Sequence, residues 1–275
     1  MISVVFARAI ALFKSTHPIP SFAVSSFTLL LAIGYSVPVE KLVSVGLGIL
    51  FQQFSVGLSN DWLDYERDRI VGRKDKPTVR FEVSEKLVRN ASLVFAVFAL
   101  VIAASLGLET TLIMILMLAI GWSYNLGLKS TSLSFVPYAL GFGVLPIFVT
   151  LSIAPPQLPL WWVMLAAAFL GVAAHFANAL PDLTDDRETG VRAMPHILGQ
   201  RVSALVISLA AAMASLLVVT QSTSLNPVIA WVGFGFTMGL VLTASALALR
   251  SKPPRVIFQL LIAASFVNVA LLVLG

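Results

Sequence analysis

The sequence contains no cysteine and very little charge. Among its 275 residues, only 11% are Asp, Glu, Lys or Arg. The absence of cysteine excludes disulfides, thiol catalysis and thiolate-bound metals. The scarcity of charge excludes a water-soluble domain, because such a domain needs a charged and polar surface.

Apolar residues make up 58% of the chain, and the mean hydropathy is +0.94. A helix needs about 20 mainly apolar residues to cross a bilayer, because ~30 Å of hydrocarbon is traversed at ~1.5 Å per residue. We therefore predict an all-α, polytopic membrane protein with about nine transmembrane helices around a central cavity. The predicted spans are residues 19–37, 41–60, 87–107, 110–126, 134–153, 160–181, 202–221, 227–249 and 255–274.

The positions of the basic residues predict the orientation of these spans. Cytoplasmic loops close to membrane helices collect Lys and Arg. With nine spans and a cytoplasmic N-terminus, 17 of the 18 basic residues fall on the cytoplasmic side, and Lys41 alone lies outside. This pattern predicts an integral protein of a bacterial-type cytoplasmic membrane. The net charge of +5 then reflects orientation, so we expect no binding of nucleic acid.

The chain has no soluble appendage, so residues 1–275 are interpreted as a single transmembrane domain. Residues 1–17 are apolar with sparse basic residues, which predicts a helix lying along the cytoplasmic interface and contacting the lipid bilayer. The two longest hydrophilic stretches, residues 61–86 and 182–201, are predicted to be cytoplasmic loops.

Each of these loops begins at an acidic cluster that ends a predicted span. Spacings of three, four and seven residues place such side chains on one face of a helix. Stacked carboxylates repel each other, and a divalent cation reverses that repulsion. The candidate ligands are Asn60, Asp61, Asp64 and Asp68 in the first cluster, and Asn178, Asp182 and Asp186 in the second, which Asp185 could join.

Oxygen ligands of this kind favour Mg²⁺ or Ca²⁺, and Mg²⁺ commonly shares carboxylates with substrate phosphates. The two clusters therefore suggest a metal-bridged diphosphate at the cytoplasmic face. Solvated helix ends are the alternative, since Asp and Asn are common there as caps and loop residues. Two clusters with matched spacing on one side of the membrane favour the metal site.

Basic and polar side chains near the clusters are candidate substrate contacts. Lys129 is the only charge in its short loop, and other basic residues follow both clusters, although each could instead serve the positive-inside pattern. Deeper in the spans, Gln53 and His175 could contact an acceptor, although His175 could equally form a structural bond between helices. His17 and His196 receive no role. The basic candidates are Arg69, Arg73, Lys74, Lys76, Arg187 and Arg192, and phenylalanines that could line a tail tunnel or simply pack are Phe51, Phe54, Phe142, Phe148 and Phe176.

These motifs resemble the UbiA-type intramembrane prenyltransferases. Residues 60–68 match the family pattern Asn-Asp-x-x-Asp-x-x-x-Asp, residues 182–186 match Asp-x-x-x-Asp, and segments 72–77, 124–129 and 190–199 are also similar. Pro181 departs from the pattern, because many members carry a basic residue there. The resemblance implies that the Asp clusters bind Mg²⁺ and a prenyl diphosphate. It implies phosphate contacts from Arg73, Lys76, Lys129 and Arg192, and substrate binding around Tyr124.

The implied activity is Mg²⁺-dependent transfer of a prenyl group to an aromatic, quinone-precursor or other lipophilic acceptor, with release of diphosphate. A membrane terpene cyclase would ionise the same diphosphate and capture the cation internally. A secondary transporter would place ionisable groups near the bilayer midplane. The middle of the predicted spans is almost uncharged, which argues against transport.

Overall fold

The structure, a computed structural model, describes the backbone of residues 2–183, 192–250 and 253–275 and, within these, the side chains except those of residues 2–4 and 182. All regular elements in these ranges are helices, which confirms the all-α prediction. They are α1 (Ile2–Lys14), α2 (Pro18–Gly34), α3 (Val39–Leu63), α4 (Tyr65–Ile70), α5 (Glu85–Leu106), α6 (Leu108–Asn125), α7 (Val136–Leu151), α8 (Trp161–Ala179), α9 (Met194–Gln221), α10 (Pro227–Ala248) and α11 (Val256–Leu274).

Seven of the described helices are long and apolar enough to cross a membrane, namely α3, α5, α6, α8, α9, α10 and α11. The pair formed by α1 and α2 supplies an eighth if its two arms, which are bent by 61°, count as one span. Helix α7 is apolar but has only 16 residues. Nine crossings and a cytoplasmic N-terminus therefore stay predictions, while the polytopic membrane architecture is confirmed.

The long helices pack side by side in a closed ring. The order around the ring is α2, α3, α5, α6, α7, α8, α9, α10 and α11, and α11 contacts α2 again. Large apolar side chains such as Val232, Phe236 and Leu242 are more than half exposed on the outside of the ring, as lipid-facing residues should be. The inward faces of α2, α3, α6, α7, α8 and α11 enclose a central cavity.

Two local breaks shape the part of the ring that carries the second acidic cluster. Helix α8 ends at Ala179 and continues as a single 3₁₀ turn, Leu180–Asp182, because Pro181 has no N–H to extend the α-helical bonding. Helix α9 is interrupted at Gly199, whose φ of 77° and ψ of 173° are not helical and are tolerated by glycine.

Candidate active site

The central cavity has a volume of about 260 Å³ and is polar at one end and apolar at the other. Its apolar end is formed by Phe27, Phe142 and Leu145, which also border a second cavity of about 60 Å³. Its larger polar side chains are those of His17, Gln52, Gln53, Asn60, Tyr124, Asn125, Tyr138 and Asn178, and Ser21 and Ser265 also line it. The polar end lies where α3 ends and the first acidic cluster begins.

The first residues of both clusters, Asn60 and Asn178, line this one cavity from different helices. Asn60 donates its side-chain N–H to Asn125 Oδ1 at 3.2 Å. Asn178 shares a hydrogen bond with the hydroxyl of Tyr138. Asn125 in turn donates to the carbonyl of Val56 at 2.9 Å, which fixes α6 against α3. The ends of α3 and α8 are therefore brought to a common space.

Asp61 is almost fully buried, and two basic side chains converge on one of its oxygens. Lys76 Nζ lies 2.5 Å from Asp61 Oδ1, and His17 Nε2 lies 2.8 Å from the same atom. A buried carboxylate without such partners would be strongly destabilising. Lys76, which follows the cluster by eight residues, is therefore folded back onto it.

Asp64 repeats this arrangement with a different lysine. Lys129 Nζ donates to Asp64 Oδ1 at 2.5 Å, and Arg67 donates to Asp64 Oδ2 at 3.1 Å. Lys129 is positioned by the 3₁₀ turn Leu128–Ser130 that follows α6, and it is buried. Burial lowers the pKa of this lysine, and the neighbouring Asp64 carboxylate opposes that shift.

Asp68 completes the first cluster on α4 and is only 2% exposed. Arg67 lies 3.6 Å from its Oδ1, while Oδ2 is buried with no hydrogen-bond partner. Burial raises the pKa of Asp68, and the nearby Asp64 carboxylate acts in the same direction. An orphaned carboxylate oxygen close to the Asp64 carboxylate is a hard oxygen donor of the kind that Mg²⁺ prefers, so the donor chemistry of these two residues fits the expected metal.

No three acidic or histidine side chains converge as a ready metal site within the described part of the chain. Lys76 and Lys129 occupy the neighbourhood of two of the carboxylates instead. In the second cluster the side chain of Asp182 is not described, and Asp185, Asp186 and Arg187 lie outside the described residues. The described part of the candidate metal centre therefore consists of the first cluster and Asn178.

Arg73 lies in the loop after α4 and pairs with Asp75. Its guanidinium donates to both Asp75 oxygens at 3.0 Å, and Arg255 at the start of α11 contacts Asp75 at 3.2 Å. The hydrogen bonds from Arg73 hold the pKa of Asp75 well below its usual range. Arg192, a fourth predicted phosphate contact, is exposed just before α9.

The two predicted acceptor contacts, Gln53 and His175, have different surroundings in the structure. Gln53 lines the cavity and donates to Gln52 Oε1 at 2.8 Å. His175 is 1% exposed and lies behind the wall, where its Nε2 is 3.0 Å from Ser134 Oγ. Ser134 also accepts the backbone N–H of Met194, so His175 links α8 to the beginning of α9. This geometry provides a structural bond between helices through Ser134, and the acceptor contact of His175 stays a prediction.

Sequence reasoning also proposed phenylalanines as tunnel lining, and the described cavities use one of those five, Phe142. Phe148 and Phe176 are buried in helix-to-helix cores. Phe51 and Phe54 pack around the ring of Phe95, at centroid distances of 5.4 and 5.3 Å. The sequence shows which residues of a membrane helix are apolar, but it does not show whether each of them faces a cavity, a neighbouring helix or lipid.

His17, which received no role from the sequence, lines the cavity and contacts Asp61. Tyr138 was also missed, and its ring lies 5.2 Å from that of Tyr124 at the cavity wall. A tyrosine early in a predicted span, near the depth of the acidic clusters, was a usable signal for Tyr138. No local signal marked His17, because its partner lies 44 residues away.

A ring of apolar helices around a cavity, with buried carboxylate and lysine pairs where α3 ends, defines a polytopic membrane protein with charged groups next to an internal cavity. The sequence profile described as the UbiA prenyltransferase family matches residues 19–270. The chain therefore belongs to the UbiA prenyltransferase family.

Curated relatives with two different activities are similar in sequence to this chain. Digeranylgeranylglyceryl phosphate synthase of Pyrococcus abyssi (strain GE5 / Orsay) is 27% identical over 222 residues, which cover 78% of this chain and 77% of the relative. A 4-hydroxybenzoate octaprenyltransferase of Enterobacter sp. (strain 638) is 29% identical over 163 residues. That match covers 58% of this chain and 56% of the relative.

Solved structures share the fold at lower sequence identity. The apo structure of a UbiA homolog from Aeropyrum pernix K1 superposes with a TM-score of 0.77 at 18% identity, covering 91% of this chain and 96% of the other. A UbiA homolog from Archaeoglobus fulgidus bound to GPP and Mg²⁺ gives a TM-score of 0.70 at 18% identity, covering 95% and 98%.

Proposed function

We propose that this protein transfers a prenyl group from a prenyl diphosphate to an aromatic or other lipophilic acceptor at the cytoplasmic mouth of the central cavity. The observation that carries the proposal is that Asn60 and Asn178, the first residues of both acidic clusters, line one cavity with a polar and an apolar end. A prenyl diphosphate has the same division into a charged head and an apolar body. The relatives that use or bind such molecules support this assignment.

The first cluster and the second would hold Mg²⁺ through Asn60, Asp61, Asp64, Asp68, Asn178, Asp182 and Asp186. Bound there, Mg²⁺ would supply a Lewis acid and a template for the diphosphate. Lys76, Lys129 and Arg73 would provide the remaining positive charge around the phosphate oxygens, with Arg192 beside the second cluster. Preorganised charge aimed at the leaving group favours rupture of the bond between oxygen and the allylic carbon.

The acceptor would approach the allylic carbon within the cavity. Gln53 and Tyr124 line that space, and Tyr138 adds a second phenol ring. Their polar groups would orient the acceptor, so that an electron-rich carbon, or the hydroxyl oxygen of a glyceryl phosphate, faces the allylic cation and forms the new bond, while the apolar wall excludes water that would otherwise capture the cation. The acceptor would lose one proton in this step, and the departing diphosphate would take it up. The prenyl tail would extend past Phe142 toward the second cavity, whose lining is mostly apolar.

Product analysis tests this function. Purified full-length protein in detergent is incubated with Mg²⁺, prenyl diphosphates of increasing length, and either phenolic acids such as 4-hydroxybenzoate or a prenylated glyceryl phosphate. We expect a prenylated acceptor and one diphosphate released per product. Release of a cyclic hydrocarbon without an acceptor would instead identify a terpene cyclase, and no release from any prenyl diphosphate would contradict the proposal.

The glyceryl phosphate acceptor belongs in the panel for a specific reason. The similarity to the Pyrococcus synthase extends over 222 residues, whereas that to the Enterobacter octaprenyltransferase extends over 163. A lipid acceptor would suit the largely apolar wall of the cavity. A phenolic acceptor would suit the paired rings of Tyr124 and Tyr138. The ratio of prenylated phenolic acid to prenylated glyceryl phosphate in the assay decides between the two acceptors.

A further inference from the structure

The elbow between α1 and α2 is a defined structure rather than a loose connection. Ser15 and Thr16 in this elbow are buried, with 0% and 2% exposure. Thr16 donates its hydroxyl to the carbonyl of Phe13 at 2.7 Å, and Ser21 donates to the carbonyl of Thr16 at 2.8 Å. His17 adopts the left-handed conformation, with φ 51° and ψ 63°, which turns the chain and directs its ring toward α3.

Helix α3 receives this elbow along one face. Phe54, Gly57 and Asp61 are spaced at i, i+3 and i+7, so they form a single stripe. At the first position, the ring of Phe54 contacts Phe13 on α1 and Phe22 on α2, with centroid distances of 6.4 and 6.0 Å. Both arms of the elbow are thereby held against α3.

Gly57 permits the close approach at the middle of the stripe. A Cβ atom at this position would lie 2.6 Å from the carbonyl oxygen of Thr16 and 3.3 Å from the ring of His17. The first distance is shorter than any ordinary contact of a Cβ atom, and the obstructing atom belongs to the backbone. Any larger residue would therefore push the elbow away from α3.

His17 completes the stripe by contacting Asp61. A carboxylate accepts hydrogen bonds, so the His17 Nε2–H donates to Asp61 Oδ1 at 2.8 Å, and a neutral ring is sufficient. Lys76 donates to the same oxygen at 2.5 Å. Two donors from separate segments fix the direction of this carboxylate, and both of these contacts end on Oδ1 rather than on Oδ2.

We infer that His17 is a positioning residue that holds Asp61 in the orientation required to bind the metal and diphosphate, and that the elbow thereby ties helix α1 to the active site. The inference rests on the proposed function. Partners that orient a ligating carboxylate from outside the metal's own shell typically contribute about 10- to 100-fold in metal affinity. Without His17, the Asp61 carboxylate would keep its hydrogen bond from Lys76, but that single bond would not fix the orientation of the carboxylate.

The first test measures binding without turnover. Calorimetry on the purified full-length protein records the affinity for Mn²⁺ together with inorganic pyrophosphate, for wild type, His17→Ala and His17→Gln. We expect His17→Ala to weaken binding about tenfold. Gln places an amide N–H at the same number of bonds from Cα, so His17→Gln should recover most of the affinity. In turnover assays the alanine variant should raise KM for the prenyl diphosphate more than it lowers kcat.

A second variant keeps the test decisive if alanine at position 17 impairs folding. Gly57→Ala leaves His17 intact but displaces the elbow, so it should weaken Mn²⁺ and pyrophosphate binding similarly. Gly239→Ala is the matched control, because a Cβ there meets nothing within 4 Å. Wild-type affinity in His17→Ala, or in a folded Gly57→Ala, would overturn the inference, as would equal losses in His17→Ala and His17→Gln. Absence of binding and turnover in the wild type would overturn the proposed function instead.

Discussion

The two ends of the central cavity differ in chemistry. At the polar end, Asp61 and Asp64 are buried with lysine partners, whereas the opposite end is formed by Phe27, Phe142 and Leu145. Buried charges are costly next to lipid and are kept where function requires them, while apolar walls tolerate changes of shape. Substitutions at the polar end should therefore reduce turnover, and those at the apolar end should change which substrate is used.

The largest effect is expected from Asp64→Ala. This change removes a candidate metal ligand and leaves Lys129 buried without its partner. We expect the rate of diphosphate release to fall on the order of a thousandfold, while the protein stays folded by circular dichroism. Wild-type turnover in this variant would remove the first cluster from the mechanism.

Lys129→Met should have the next largest effect. The substitution preserves much of the side-chain volume but removes the charge beside Asp64, so kcat/KM for the prenyl diphosphate should fall about a hundredfold. Lys41→Met is the matched control, because Lys41 bonds the carbonyl of Ser152 near the end of α7, outside the described cavities. Equal losses in the two variants would mean that Lys129 acts only on stability.

Phe142→Ala should change selectivity at the apolar end. Phe142 borders both cavities, so its removal would join them and admit a longer prenyl tail. We expect the ratio of kcat/KM values for long over short prenyl diphosphates to rise at least about tenfold, because a single methylene in an apolar pocket is worth about tenfold or more. Phe258→Ala removes the same ring from the first cavity alone and should leave that ratio unchanged. If the ratio of kcat/KM values rises in both variants, Phe142 does not separate the two cavities.

The smallest effect is expected from Asn268→Leu, beyond the apolar end. Asn268 borders the second cavity, is 2% exposed, and its Oδ1 has no hydrogen-bond partner. Its N–H bonds the carbonyl of Ala264, which the helix itself can satisfy. Replacing the amide by an apolar side chain should raise the free energy of unfolding by about 1 kcal/mol. Thermal unfolding in detergent checks this, and a lower midpoint would indicate an unrecognised polar partner.

The long helices were the predictable part of this fold. Apolar runs of sufficient length located α3, α5 and α8, and the chemistry of Pro181 accounts for the end of α8 two residues before the end of its predicted span, 160–181. These features depend on local sequence, because helix length and proline chemistry act within a few residues. The bend at the α1–α2 elbow and the break at Gly199 required the tertiary structure.

At the candidate site, Gln53 lies seven residues before Asn60, a spacing that puts both on one side of α3, and both line the cavity. The pairing of Lys76 with Asp61 could not be deduced, since it depends on how a hydrophilic loop folds back. His17 depends on a left-handed backbone and on Gly57, neither of which has a local pattern that indicates function. Contacts between segments that are far apart in the sequence could therefore not be predicted from it.

The central claim is that the two acidic clusters together bind one metal-bound diphosphate. A double-mutant cycle on the affinity for Mg²⁺ and inorganic pyrophosphate, measured with wild type, Asp64→Asn, Asp182→Asn and the double variant, tests it most directly. Because both residues would serve one site, the account predicts that the double variant binds little more weakly than either single variant. Losses of free energy that add independently would contradict a shared site.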